Sequence, residues 1–321
     1  MEIKSKPWNM LFLVFLGQLV SFSMAVCSFV TSEISSLGAD ARLTQSFFSY
    51  LLLALVYGAI LLHRQQKLLI PWYWYLALVF IDVQGNCLAI KAYHYSYITS
   101  VNLLNCCTIP WVMILTRFAL GTRYSFWQFV GAGTCMAGLA LVLLSDSNYS
   151  DMQDASKRPL WGDALIIAAT FCFAFSNVGE EYCVKNKDKI EFVAMLGILG
   201  MLVTGIQLSL FERKNIEAIN WSPTMISLFI GFAVASLVFS TITPCVLKMS
   251  GATMFNLSLL TTDVWAVIIR VFLYHQQVNW LYYLAYAVVP IGLIIYSMNE
   301  SSDDEKAPST METETQYEQL S

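Results

Sequence analysis

Long apolar runs recur along almost the whole chain, each broken by a short polar stretch. Ten such runs can be drawn, over residues 8–31, 42–62, 72–91, 98–118, 125–145, 160–184, 191–211, 223–247, 252–274 and 279–298. Each holds about 20 residues, enough for a helix to cross ~30 Å of hydrocarbon. The breaks between them, such as His63–Pro71, Gly121–Tyr124 and Met249–Gly251, hold few residues. The pattern predicts an all-α membrane protein of ten transmembrane helices with no separate soluble domain. The first run, from Trp8, is too long for a signal-peptide core and has no clear cleavage site. It reads as a retained helix.

Sliding the chain by 154 residues superimposes its two halves. Thr99, Asn102, Leu103, Thr108, Trp111, Ile114, Phe118, Gly138 and Leu139 meet Thr253, Asn256, Leu257, Thr262, Trp265, Ile268, Phe272, Gly292 and Leu293. A composition this biased gives roughly three matches by chance over such a window. Each half then holds five spans. Because five is odd, the second half must be inverted relative to the first, which is the plan of alternating-access carriers with a midplane site. The organisation expected is a cytosolic N-terminus (1–7), a first repeat (8–145), an outer loop (146–159), a second repeat (160–299) and a disordered acidic tail (300–321).

Composition sharpens this picture. The chain is 57% hydrophobic and 12% charged, far from the roughly 25% charge of soluble proteins. Its net charge of −4 comes from the tail, where residues 300–321 hold seven acids and one lysine. No basic patch points to nucleic acid. The eight cysteines (Cys27, Cys87, Cys106, Cys107, Cys135, Cys172, Cys183, Cys245) all lie in apolar spans, without disulfide or zinc spacing. No metal or cofactor is expected. Catalytic signatures and a phosphate-binding loop are absent, which argues against an enzyme or an ATP-driven pump.

With a cytosolic N-terminus, eleven Lys and Arg residues fall on the cytosolic side and seven on the other, so both termini are placed in the cytosol. The sequon Asn148-Tyr149-Ser150 then lies in the longest outer loop. In the tail, Tyr317-Glu-Gln-Leu320 matches the peptide pattern that sorting adaptors bind.

Polar side chains inside the spans mark the candidate site, because an acid at a helix centre costs about 2.5–3.5 kcal/mol and tends to face a cavity or a partner. Asp82 and Asn86 share one face of span three, Asn256 and Asp263 one face of span nine, and Asn177, Glu180 and Glu181 one face of span six. Asn102 is the repeat mate of Asn256, and Gln18 is polar in span one. The competing reading for these groups is interhelical hydrogen bonding. Lys91 and Lys248 close spans three and eight and serve either as opposite gates or as snorkelling lysines. Tyr93 stands beside Lys91, at a cavity mouth or in an interfacial belt. Gly131, Gly133, Gly138, Gly197 and Gly200 read as close helix-packing positions.

Ordered motifs also carry a family resemblance: Gly17-Gln18 with Ser21; Asp82-Val83 with Asn86, Lys91-Ala-Tyr93 and Tyr95; Ser176-Asn177-Val178 with Glu180-Glu181-Tyr182; Leu247-Lys248-Met249; and Asn256-Leu257-Ser258-Leu259-Leu260-Thr261 with Asp263. Over roughly residues 8–300 the chain resembles the F subfamily of solute carrier family 35, within the drug/metabolite transporter superfamily. The resemblance implies ten helices, cytosolic termini and a central cavity lined by spans one, three, four, six, eight and nine. It names no substrate: relatives elsewhere exchange nucleotide sugars, while purine-like and nucleoside-like compounds are candidates in the F branch.

The expected function is secondary transport of a small neutral to cationic organic solute. Gln18, Asn102, Asn177 and Asn256 would hydrogen-bond it, Asp82, Glu180 and Asp263 would carry charge or a coupling proton, Asn86 and Tyr93 would line the site, and Lys91 and Lys248 would gate it. A nucleotide-sugar exchanger and a non-transporting receptor or scaffold are the alternatives. Expected partners are the solute, membrane lipid, a sorting adaptor at Tyr317–Leu320 and, as an open option, a second copy of the chain in a homodimer. Golgi or other endomembranes and the plasma membrane remain equal alternatives for its address.

Overall fold

The computed structural model describes residues 6–39, 41–64, 71–96, 98–150, 159–186, 188–212, 216, 219, 221–274 and 280–303. Among the features named above, residues 1–5 of the N-terminus, residues 151–158 of the outer loop and residues 304–321 of the tail, with Tyr317–Leu320, lie outside the described residues.

Every element is helical: α1 (Lys6–Ser36), α2 (Arg42–Arg64), α3 (Trp72–Tyr95), α4 (Ile98–Asn105), α5 (Thr108–Ala119), α6 (Phe126–Ser150), α7 (Pro159–Asn186), α8 (Lys189–Phe211), α9 (Pro223–Leu259), α10 (Thr262–Tyr274) and α11 (Trp280–Asp303). Local signals set their ends. Asp188 caps α8 by accepting from the Ile190 N–H at 3.1 Å, and Ser222 caps α9 by accepting from the Met225 N–H at 3.2 Å, with Pro223 in the first turn. The sequon residue Asn148 lies in the last turn of α6, which runs on through Ser150 into the stretch expected to be loop.

By length and composition, seven helices among the described residues can cross a membrane. Large apolar side chains such as Leu62, Phe118, Leu160 and Phe272 stand exposed on the outside of the bundle, as a lipid-facing surface requires. The protein is a multi-pass membrane protein.

Spans four and nine, expected as continuous, are both broken. Span four divides at Cys106-Cys107 because Pro110 has no N–H and its ring excludes the carbonyl four residues back. Tighter bonds fill in, from Cys107 N to Leu104 O at 2.9 Å and from Ile109 N to Cys106 O at 3.1 Å. Span nine divides at Leu260-Thr261, with no proline. There the Ser258 carbonyl accepts from the Thr261 N–H and the Ser21 hydroxyl, and the Thr261 hydroxyl also lies within reach. The two breaks stand 154 residues apart, at the offset of the sequence repeat. Spans eight and nine join without a loop: α9 runs through both, interrupted where Gly251 takes φ +85°, a value that favours glycine.

The principal packing pairs are α2 with α8, α6 with α11, α1 with α9, and α3 with α7. Glycine lets two of them touch backbone to backbone. A Cβ on Gly197 would lie 2.6 Å from the Ala54 nitrogen, and one on Gly131 would lie 2.8 Å from the Gly292 oxygen. Gly138 and Gly200 also meet neighbouring helices closely, against Val289 and Tyr50. Gly133, grouped with them by sequence, has nothing within 4 Å. It faces away from its partner helix.

Candidate functional site

Helical spacing brings polar side chains together between the packed pairs. Asp82 and Asn86, four apart on α3, line a central cavity of about 320 Å³ with Asn177 and Glu180 of α7 and Asn256 of α9. Tyr50 of α2 and Ser236 and Ser240 of α9 are among the other polar residues of its wall. A second lobe of about 240 Å³ shares Asn105 and Asn256 with the first and is lined by Tyr93, Asn102 and Asp263. A third of about 420 Å³ shares Tyr50 and Asn86 with the first and reaches Thr31 and Arg42, where α1 ends and α2 begins. Met24 touches all three.

Hydrogen bonds orient these groups. The Tyr50 hydroxyl donates to Asp82 Oδ2 at 3.3 Å. Asn256 donates to the Ala252 carbonyl at 2.8 Å and accepts from Asn177 Nδ2 at 3.2 Å, bridging α9 to α7. The Tyr93 hydroxyl donates to Asn102 Oδ1 at 2.7 Å, joining α3 to α4, and the Arg42 guanidinium lies 5.8 Å from the centre of the Tyr93 ring. In the central lobe Asp82 and Glu180 face the space with no Lys or Arg on the described wall. Such a wall favours a positive charge or shared protons over an anion.

At the opposite end of the bundle from Arg42, side chains tie the helices together. Arg64 of α2 meets Asp188 before α8 at 2.8 Å, Tyr75 of α3 donates to Glu191 of α8 at 2.9 Å, and the Tyr124 and Thr253 hydroxyls share a hydrogen bond at 2.6 Å. α7 also holds the start of each broken span. Near its first turn Asp163 Oδ1 accepts from the hydroxyls of Ser96 at 2.7 Å and Ser100 at 2.9 Å. Near its end Glu181, buried, accepts from the Ala252 N–H at 2.8 Å and pairs with Lys185 at 2.6 Å.

Three of the sequence-predicted residues lie off the cavity. Gln18 Oε1 accepts from Trp265 Nε1 and Thr261 Oγ1, both at 3.1 Å, and so braces the break in span nine. Lys91 is exposed on another face of α3, its ammonium 5.9 Å from the centre of the Phe211 ring. Lys248 is exposed just before the Gly251 kink. Tyr50, Ser236, Ser240 and Arg42 line the cavity and were missed. The repeat carried a signal for two of them, because Ser236 and Ser240 stand 154 residues beyond Asp82 and Asn86.

Comparisons with known proteins agree with this architecture. The family model described as SLC35F, solute carrier family 35, matches residues 6–298. A mouse protein named solute carrier family 35 member F2 is 33% identical over 298 residues, covering 90% of this chain and 79% of its own length. Its Xenopus tropicalis namesake is 33% identical over 299 residues, covering 90% and 76%. An uncharacterised solute carrier family 35 member of Schizosaccharomyces pombe is 29% identical, covering 88% of this chain and 57% of its own. A solved structure titled only as the crystal structure of a protein shares the fold, with TM-score 0.73 at 15% identity over 91% of this chain and 97% of its own. The chain belongs to the SLC35F branch of solute carrier family 35, whose membership supports a transporter rather than an enzyme.

Proposed function

We propose that this protein is a secondary transporter of a small organic solute, neutral to cationic and of nucleobase or nucleoside size, that works by alternating access between two inverted five-span repeats. The observation that carries the reading is the central cavity: it holds two acids and several amides between the packed pairs, shares walls with a lobe that reaches Arg42, and has the Arg64–Asp188 and Tyr75–Glu191 contacts at the other end of the bundle.

The ten-span reading joins α4 to α5, divides α9 at Gly251 and joins its last turns to α10. Under a shift of five spans the packing of α3 on α7 then exchanges with that of α9 on α1, while α2–α8 and α6–α11 exchange within themselves. The breaks at Cys106-Cys107 and Leu260-Thr261 also exchange, as do Trp111 and Trp265. Each tryptophan meets a phenylalanine edge-on, Phe171 at 5.5 Å and Phe22 at 5.3 Å between ring centres. A receptor or scaffold has no need of such paired discontinuities, whereas carriers place substrate at broken helices between inverted halves.

Asp82 and Glu180 supply the counter-charge, as partners for a cationic group or for a coupling proton. Asn86, Asn177, Asn256 and Tyr50 supply hydrogen bonds, and Tyr93, Asn102 and Asp263 form a second polar pole in the neighbouring lobe. A nucleotide sugar brings two negative charges to this acidic wall and is disfavoured. Cytosolic termini and an address in the endomembranes or the plasma membrane complete the proposal.

Thermal stability of the purified protein, measured against nucleobases, nucleosides, tetraalkylammonium ions and nucleotide sugars, tests it. A ligand at 100 times its Kd stabilises by about 2.7 kcal/mol. Stabilisation by a neutral or cationic compound, lost in Asp82→Asn and Asn256→Ala, is the expected result. Stabilisation by a nucleotide sugar alone would refute the solute class.

A further inference from the structure

We infer that a groove between α3 and α8, which backs onto the third cavity lobe at Leu43 and Ile90 but opens on the outside of the bundle, is a binding site for one acyl chain and the phosphate of an anionic glycerophospholipid. Phe80, Gln84, Cys87 and Lys91 share a face of α3, and Ile206, Leu210 and Phe211 face them from α8 around a space of about 540 Å³. Phe80, Ile206, Leu210 and Phe211 are 50–71% exposed, so the groove opens outward, towards the hydrocarbon. From Phe80 to Lys91 the groove runs eleven residues, about 16 Å at ~1.5 Å per residue. That is half of a ~30 Å hydrocarbon layer, the depth of one leaflet.

The charge pattern selects the lipid. The groove's described wall holds one acid, Glu212, and its carboxylate is turned to the start of α2. It accepts from the Leu43 N–H at 2.8 Å, the Thr44 N–H at 3.0 Å and the Thr44 hydroxyl at 2.9 Å. The amide oxygen of Gln207, deep in the groove, is likewise engaged, accepting from the Cys87 thiol at 3.2 Å. Lys91 remains at the mouth as a cation, over the face of Phe211 and close to the helix end, where headgroups lie. A lysine above an apolar slot of one-leaflet depth suits a phosphate with its chain below. A zwitterionic headgroup offers the same phosphate but also a second cation, which Lys91 repels.

The test uses the full chain in detergent micelles, with unfolding followed by temperature as phosphatidylglycerol or phosphatidylcholine is added. Phosphatidylglycerol is expected to raise the midpoint more than phosphatidylcholine does. Lys91→Gln and, separately, Ile206→Trp, which fills the slot but keeps the charge, are expected to abolish the difference without lowering the lipid-free midpoint. Lys248→Gln, an exposed lysine on another helix, is expected to keep it. Equal stabilisation by the two lipids, or a preference that survives Lys91→Gln or falls equally in Lys248→Gln, would overturn the assignment. If one groove variant fails to fold, the other decides.

Discussion

Replacing Glu181 by alanine tests how the second broken span is held. Its carboxylate is 3% exposed and joins two groups, the Ala252 N–H at 2.8 Å and the Lys185 ammonium at 2.6 Å. Removal leaves the Ala252 N–H buried and unpaired, which costs about 1–3 kcal/mol. Lys185 is 41% exposed and returns to water, so its share is a partly screened pair worth about 0.2–1 kcal/mol. Glu181→Ala should therefore destabilise by about 1–4 kcal/mol. Gly251→Ala has two costs. An alanine at φ +85°, ψ 175° is strained by about 1–3 kcal/mol, and its Cβ would stand 2.7 Å from Glu181 Oε1. The contact disappears in the Glu181→Ala background and the strain does not. Equilibrium unfolding of the two single variants and the double variant in mixed micelles reads the coupling. The double variant should be more stable than the sum of the singles implies. Additivity within about 0.5 kcal/mol would show that Glu181 does not hold the kink.

Tyr50→Phe removes the 3.3 Å hydrogen bond to Asp82; bonds to charged groups are worth about 1.5–3 kcal/mol, so the unfolding free energy should fall by up to that amount in mixed micelles, and by much less in an Asp82→Asn background. Arg64→Glu opposes two acids at the Arg64 end of the bundle, and uptake kinetics should change. The swap Arg64→Asp with Asp188→Arg should restore them if the 2.8 Å pair matters as a pair. Gly131→Val meets the Gly292 and Tyr296 backbones and should cost at least about 1–3 kcal/mol on unfolding, whereas Gly133→Val faces open space and should stay within about 0.5 kcal/mol.

The bundle was legible because apolar length and loop spacing depend on local chemistry alone. The repeat was legible because Trp111/Trp265 and Asn102/Asn256 kept their identity across 154 residues. The break in span four was written in Pro110. Its counterpart in span nine was not, because it rests on hydroxyls of Ser21 and Thr261 and on the long-range brace from Gln18. The same limit governs the site. Periodicity placed Asp82 with Asn86 and Asn177 with Glu180, but which face of a helix meets the cavity is set by its neighbours. Lys91 and Gln18 looked alike in sequence to residues that line it. Glu180 and Glu181 are adjacent, yet one faces the cavity and the other caps a helix.

Closure at the Arg64 end, with the solute held between the two halves, can be tested by cross-linking. Cysteines at positions 64 and 188, whose native side chains meet at 2.8 Å, can be joined with a short bifunctional maleimide in protein reconstituted in vesicles, after replacing the accessible native cysteines. The solute identified by thermal stabilisation should still bind the cross-linked protein, with the Asp82 dependence intact, while uptake falls to background and recovers when a cleavable linker is cut. Uptake that continues with the two positions joined would contradict alternating access through this cavity.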